Sequence, residues 1–159
     1  MRPMRRKDRA VTDPAKIRAV LAECQVCRLG LRDGDRVYVV PLNFGLAERE
    51  GKQFLYFHGA KEGRKADLIR QGGCACFEMD TGYRLQGGDQ ACDYTAAFRS
   101  IIGEGTVAEV TDPAEKETGL NAVMRQCTGQ DRWTYGPAML DAVGIFRLEV
   151  ESLTCKEHL

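Results

Sequence analysis

The sequence lacks a charge excess of either sign and any long hydrophobic run. Its 23 basic and 23 acidic side chains cancel. This balance argues against nucleic acid as the main partner, because proteins that neutralise phosphates generally carry a basic excess. No apolar run approaches the roughly 20 residues that a membrane-spanning helix needs, so no membrane segment is predicted. The N-terminal stretch MRPMRRKDRA is basic and no apolar segment follows it. A secretory signal peptide is therefore not expected, and residues 1–10 are predicted to form a flexible tail.

The sequence also lacks the even number of cysteines that a disulfide framework requires. Its seven cysteines, without a secretion signal, predict reduced thiols in a cytoplasmic protein. Two pairs are closely spaced, Cys24/Cys27 and Cys74/Cys76. Their thiolates could hold zinc or an iron–sulfur cluster, or act as redox thiols. Core packing is the favoured interpretation, because buried cysteine behaves as a small hydrophobic residue, and no metal site is predicted.

Length and periodicity predict one α+β domain over residues 1–159. Asp13-Pro14 and Asp112-Pro113 are helix starts, with a capping side chain before a proline, and a shorter helix is predicted over 61–71. Tight turns between most strands favour a mostly antiparallel sheet, closed into a barrel with flanking helices. The six predicted strands cover approximately residues 25–32, 36–46, 54–58, 74–79, 97–110 and 143–150.

Proline and glycine mark irregular points in these predicted strands. Pro41 implies a bulge or a gap in the hydrogen-bond ladder, because proline has no backbone donor. Gly103 and Gly105 predict a bend or a close approach of two backbones. The glycine-rich stretch 82–93 shows no strand pattern, and His158, next to the C-terminus, is predicted to be disordered.

One stretch, LYFHGAKEGRKADLI at residues 55–69, gathers cations where a predicted strand is followed by a helix. It contains His58, one of two histidines in the chain, and then Lys61, Arg64 and Lys65. Free backbone N–H groups at a helix start suit an anion, and a guanidinium can bind two phosphate oxygens. The alternative is a solvated basic loop, because short charge runs are common on surfaces. His58 is likewise either a ligand or a hydrogen-bonded structural residue.

Four stretches together resemble the FMN-binding split-barrel superfamily, to which pyridoxamine 5′-phosphate oxidase belongs, and within it the 5-nitroimidazole-resistance branch. They are MRRKDRAVTD, VYVVPLNFG at 37–45, LYFHGAKEGRKADLI, and FRSIIGEGTVAEVTD with a helix after it. The likeness extends from about Met4 to Glu151, and the order and spacing of the motifs carry it. It implies a six-stranded split β-barrel that binds FMN, and a homodimer with two cofactors at its interface.

The resemblance also implies roles for individual residues. In such barrels a basic pair matching Arg64 and Lys65 holds the flavin phosphate, with Lys61 as a further cation. His58 matches a histidine beside the active site of the nitroimidazole-resistance branch and is the predicted catalytic residue. A strand that reaches the cofactor matches Arg99 and Ser100. The strand beside the isoalloxazine edge would comprise Val39, Val40, Pro41, Leu42 and Asn43. The surface that this strand forms would be continued by Tyr56, Phe57 and His58.

The function that the resemblance implies is that of an FMN-dependent oxidoreductase. NADH or NADPH would supply electrons to a small planar acceptor, such as a nitroimidazole or another nitroaromatic compound. The residues are compatible with this function, because they offer an anion site, an apolar slot and few polar groups. The alternative is a carrier or sensor that binds FMN or haem without turnover, with His58 as axial haem ligand. Pyridoxamine 5′-phosphate oxidase itself is not favoured, because the sequence shows no second basic cluster for a substrate phosphate.

Overall fold

The strands form one antiparallel sheet with the order β3-β2-β6-β7-β8-β5-β4, and the short β1 pairs with the end of β8. These features come from a computed structural model that describes residues 4–130 and 132–159. The strands are β1 (Ala10–Val11), β2 (Cys27–Asp33), β3 (Arg36–Leu42), β4 (Gly45–Arg49), β5 (Lys52–Gly59), β6 (Cys74–Gln86), β7 (Thr95–Val110) and β8 (Gly144–His158). The α-helices are α1 (Pro14–Glu23), α2 (Arg64–Arg70), α3 (Pro113–Thr128) and α4 (Pro137–Ala142). The α+β class with an antiparallel sheet is confirmed, and the arrangement is consistent with a split barrel.

The prediction of six strands was wrong, because the described residues form eight. The predicted strand 36–46 is two strands: β3 pairs with β2 at one edge of the sheet, and β4 pairs with β5 at the other edge. The apolar pattern continues from β3 into β4, so the pattern could not reveal where one strand ends and the next begins. A Cβ atom on Gly45 would clash with the α3 backbone at Ala122 and Val123. Glycine therefore allows β4 to begin against this helix.

Two strands run beyond their predicted ends. β6 continues to Gln86, into the stretch 82–93 where no strand was predicted. β8 continues to His158, so the prediction that this residue is disordered was wrong: it pairs with Phe98 of β7. Neither extension has an alternating apolar pattern, and both strands are held by the neighbours that pair with them.

The predicted tail, residues 1–10, lies partly outside the described part of the chain, which begins at residue 4. Lys7–Arg9 form a single 3-10 turn, and Ala10 pairs with Lys156 in β8. The pairing of β1 with β8 therefore places Ala10 and Val11 beside Lys156 and Cys155.

The two predicted irregularities have different outcomes. The register between β2 and β3 runs without a shift past Pro41, which excludes the bulge and leaves the gap in the hydrogen-bond ladder as the remaining alternative. Proline is tolerated there because β3 is an edge strand. The predicted close approach at Gly103 and Gly105 is confirmed: a Cβ atom on Gly105 would clash with the carbonyl oxygen of Glu149. The β7–β8 register shifts between Glu104 and Gly105.

The core has two parts, on opposite faces of β5. Leu55 and Phe57 belong to the main cluster, together with Phe146. Phe54 and Tyr56 face the other way, into a smaller cluster under α3. Because successive side chains of a strand point to opposite faces, a strand buried on both sides has a continuous apolar run. This explains why β5 is apolar throughout its centre.

The two cysteine pairs differ in burial. Cys24 and Cys27 are fully buried in the main cluster, and burial raises the pKa of their thiols to about 11 and about 12. Core packing is therefore confirmed for this pair, but it was wrong for Cys74 and Cys76, which are exposed on β6. In the described part of the chain, no three histidine, cysteine, aspartate or glutamate side chains could hold a metal ion together. No helix in that part combines the length and apolar character that crossing a membrane requires.

Candidate functional site

The basic stretch connects the end of β5 to the start of α2. Gly63 precedes the helix with φ +105° and ψ 170°, a backbone conformation that only glycine adopts readily. The helix therefore begins at Arg64, three residues later than predicted. Arg64 and Lys65 lie in its first turn, and Lys61 lies in the loop before it.

Two of the three cations have carboxylate partners. Arg64 donates from Nε and Nη2 to Asp33 Oδ2, at 2.8 and 2.5 Å, and its Cζ lies 4.5 Å from the centre of the Tyr38 ring. Lys61 Nζ lies 3.4 Å from Asp141 Oδ1. Solvent-exposed pairs of this kind contribute about 0–1 kcal/mol. An anionic ligand could therefore displace either carboxylate at little cost.

Lys65 differs from these two cations. Among the described residues, no carboxylate lies within ion-pair distance of its ammonium. Its Nζ lies 5.1 Å from the centre of the Phe146 ring, and burial lowers its pKa. The ammonium also lies against Gly59, where any side chain would clash with it. A partly buried charge without a counter-charge is unfavourable, and an anion bound there would relieve that cost.

His58 lies at the end of β5, close to Lys65. Its pKa is lowered, mainly by burial and also by the positive charge of Lys65. The imidazole is therefore neutral at neutral pH, and one ring nitrogen carries a proton that can be donated. The side chain remains accessible to solvent, so His58 can contact a ligand held by Lys65.

The strand predicted to lie beside the isoalloxazine ring is an edge of the sheet. Among the described strands β3 pairs with β2 alone, so it has backbone N–H and C=O groups that face away from this partner. Val40 and Leu42 pack against the main core, whereas Val39 and Pro41 are exposed on the other face. The contact of Arg64 with Tyr38 joins this edge to the start of α2.

Two of the predicted ligand-binding residues have structural contacts instead. Phe57 is completely buried in the main core. Asn43 donates from Nδ2 to the backbone oxygen of Gln25 at 3.1 Å, which ties the end of β3 to the segment after α1. The Asn43 amide nitrogen is thus already in use, and its oxygen is the atom left for another contact.

Arg99 and Ser100 lie far from Lys65 within one chain. Both are near the start of β7, whereas α2 contacts the end of β7 through Arg70, whose Nε lies 2.7 Å from Glu109 Oε2. At about 3.3 Å per residue the separation along the strand is about 30 Å. Arg99 instead pairs with Glu23 at 2.7 Å, and its Nε is buried without a hydrogen-bond partner among the described residues.

The structure also shows a cavity of about 410 Å³ on the outer face of the sheet, which was not predicted. Its lining includes Gly30, Val37, Cys76 and Glu104. Val39, which lies opposite Gly30 in the β2–β3 register, continues this surface to the edge of β3. The alternating valines of β3 were the signal in the sequence, but only the strand order shows which of them are exposed.

The chain matches the family model described as pyridoxamine 5′-phosphate oxidase over residues 13–157. A candidate 5-nitroimidazole antibiotic resistance protein from Bacteroides thetaiotaomicron shares 28% identity, with 93% of this chain and 86% of that chain covered and a TM-score of 0.78. A flavocytochrome from Azotobacter vinelandii shares 21% identity, with coverage of 99% and 72% and a TM-score of 0.78. An FAD- and haem-binding protein from Mycobacterium smegmatis shares 16%, with coverage of 94% and 73% and a TM-score of 0.78. The last two likenesses show the shared fold alone.

No curated protein matches the chain in sequence. The family model nevertheless covers nearly the whole chain, from before α1 to the last residue but one of β8. The chain therefore belongs to the pyridoxamine 5′-phosphate oxidase family, within the flavin-binding split-barrel superfamily.

Proposed function

We propose that this protein is an FMN-dependent oxidoreductase that reduces a small planar acceptor. The observation that carries the proposal is the partly buried ammonium of Lys65, which has no carboxylate partner among the described residues. Arg64 precedes Lys65 in the first turn of α2 and contacts Tyr38 of β3, and the charge of Lys65 acts on His58. A flavin needs such an anion site for its phosphate, together with an accessible strand edge for its ring.

The phosphate would be held by Lys65 and Arg64. Lys65 would act as a point charge. The planar guanidinium of Arg64 would release Asp33 and donate hydrogen bonds to phosphate oxygens instead. The segment from Val39 to Asn43 would offer backbone groups to the edge of the ring. When bound, the flavin supplies the electron or hydride transfer.

The neutral imidazole of His58 would contact the acceptor. A neutral ring can donate its N–H to an oxygen of the acceptor without adding a second positive charge beside Lys65. The acceptor class comes from the relative from Bacteroides thetaiotaomicron, whose name refers to 5-nitroimidazole resistance. A nitroimidazole is therefore the first acceptor to test.

A homodimer with two cofactors at its interface is part of the proposal. Val37 and Val39 are 76% and 58% exposed, and Ile102 is 53% exposed on the same outer face of the sheet. Exposed apolar side chains on one face of a sheet that also carries a cavity are typical of a protein–protein contact. A second copy packed there would also bring its own side chains towards the edge of β3. Sedimentation equilibrium should therefore give twice the mass of the 17.7 kDa chain; a monomer would rule out this arrangement.

The first experiment is the visible absorption spectrum of the protein after incubation with FMN and removal of free flavin. NADH or NADPH is then added without oxygen, followed by a nitroimidazole. A bound flavin that is bleached by the donor and recovers with the acceptor supports the proposal. Failure to retain FMN contradicts it. A haem band in the protein as purified would favour the alternative, a carrier with His58 as axial ligand.

A further inference from the structure

A second basic cluster is assembled from the two ends of the chain. Arg9 Nη2 lies 3.3 Å from His158 Nε2, and Thr95 Oγ1 lies 3.2 Å from the same nitrogen. Lys156 Nζ lies 5.3 Å from the centre of the Phe98 ring. Residues so distant in sequence meet because β8 pairs with both β1 and β7, and this pairing is invisible in the sequence.

Phe98 lies at the centre of this cluster. It is the register partner of His158, and the two ring centroids are 6.4 Å apart, edge to face. Lys156, two residues before His158, extends over the same ring because alternate residues of a strand share a face. The positive charges and the histidine thus surround one partly exposed aromatic ring.

The cations of this cluster form no ion pair within the described residues, although the charge of Asp8 acts on Arg9 from a longer distance. In the described part of the chain, neither Arg9 nor Lys156 has a carboxylate within ion-pair distance. Asp8, next to Arg9 in sequence, accepts from Arg6 through both of its oxygens, at 2.9 and 2.6 Å. Glu157 lies opposite Arg99 in the register and points to the other face of β8.

We propose that Arg9, Lys156 and Thr95 form an oxyanion-binding site beside Phe98 that takes the phosphate group of a second small ligand, and that His158 holds the Arg9 guanidinium until this ligand binds. Arg9 supplies planar N–H donors, Lys156 a mobile point charge and Thr95 a hydroxyl. The Arg9 guanidinium has only donors, so the His158 nitrogen that faces it is an acceptor that an incoming oxyanion replaces. The Phe98 ring offers an apolar contact for whatever carries the phosphate.

This site is separate from the Lys65 site within the chain. Gly144, at the start of β8, pairs with Gly59 beside Lys65, whereas His158 is the last residue of the same strand. Gly144 and His158 are the first and last of the 15 residues of β8, so at about 3.3 Å per step the two sites lie about 46 Å apart along this strand. The proposal therefore does not depend on flavin binding.

The two histidines of the chain provide one reporter for each site. Proton NMR spectra would follow the two imidazole Hε1 signals, assigned with His58→Asn and His158→Asn, during titration with inorganic pyrophosphate and then with phenyl phosphate. Sodium chloride of equal ionic strength is the reference. We expect a saturable shift of the His158 signal with both probes. The shift should be half complete at a lower concentration of phenyl phosphate if the carrier contacts Phe98.

Substitutions that each remove one positive charge then show which lysine is responsible for the response of each histidine signal. Lys156→Gln should raise the probe concentration at which the His158 shift is half complete by about tenfold, the usual effect of losing one charge-assisted contact. The response of His58 should be unchanged. Lys65→Gln should weaken the response of His58 and leave the response of His158 unchanged. Lys16→Gln removes a charge from the exposed surface of α1 and should change neither signal. Thermal unfolding of each variant checks that the fold is intact.

Two outcomes would overturn the proposal. One is a His158 signal that follows ionic strength without saturating, as in sodium chloride; the other is a response that Lys156→Gln leaves intact. If His58 alone fails to respond, the flavin phosphate site is refuted and the terminal site stands. Each proposal can therefore fail without the other.

Discussion

Replacing Gly59 with alanine should displace the Lys65 ammonium and leave the other proposed ligands in place. A Cβ atom at this position would clash with Lys65 Nζ, and the next atom it would meet is Cε of the same side chain at 3.6 Å. Gly59 has no positive φ, so alanine can adopt its backbone conformation without strain. Because Lys65 is long and flexible, the ammonium moves rather than the strand.

The expected effects on stability and on flavin binding have opposite signs. A glycine-to-alanine change at a compatible position stabilises the fold by about 0.4–1 kcal/mol, because it restricts the unfolded chain. A hydrogen bond to a charged group contributes about 1.5–3 kcal/mol, so the loss of the Lys65 contact should weaken FMN binding by about tenfold to a hundredfold. A merely structural role for Lys65 would not produce this combination.

The dissociation constant of FMN would be measured by flavin fluorescence quenching, and stability by thermal unfolding without flavin. Gly136→Ala is the matched control: its φ is −67°, and an added Cβ atom meets nothing within 4 Å. It should leave FMN affinity unchanged. In a Lys65→Ala background, Gly59→Ala should cost no further affinity. Wild-type affinity in Gly59→Ala alone, or an additional loss in that background, would refute the reasoning.

Three further outcomes are expected. Arg64→Ala with Lys65→Ala should abolish FMN binding and leave the circular dichroism spectrum unchanged; unaltered affinity would refute the phosphate assignment. His58→Ala should lower turnover of a nitroimidazole more than flavin content, and an equal loss of both would make the histidine structural. Gly105→Ala should destabilise the fold by about 3 kcal/mol, or roughly 6–12 °C in Tm, because its Cβ atom clashes with the backbone of Glu149. The melting temperature would be measured by calorimetry. A value within about 2 °C of wild type would contradict the close packing of β7 on β8.

Local chemistry accounts for the elements that the sequence predicted well. Asp13 accepts a hydrogen bond from Ala15 N and Asp112 from Glu115 N, so both long helices begin where a capping side chain precedes a proline. These contacts join residues two or three positions apart. They form wherever the segment is helical, and no other part of the chain is needed to predict them.

The errors lie where strand pairing decides the outcome. The separation of β3 from β4, the strand pairing of His158 and the exposure of Cys74 and Cys76 all depend on which strands are neighbours. An apolar run in a sequence shows that a strand is buried, but it does not show which partner covers it. Register between distant strands is set by the whole sheet.

The sequence by itself determined that His58, Arg64 and Lys65 follow one another within eight residues, where a strand gives way to a helix through a glycine-containing loop. Only the tertiary structure decided that Arg64 is paired with Asp33 and that Lys65 has no carboxylate partner among residues 4–130 and 132–159. It also decided that Arg99 lies elsewhere and that the chain ends form a second basic cluster. The physical reason is range: loop geometry acts over a few residues, whereas charge pairing and burial depend on strands brought together from across the whole chain.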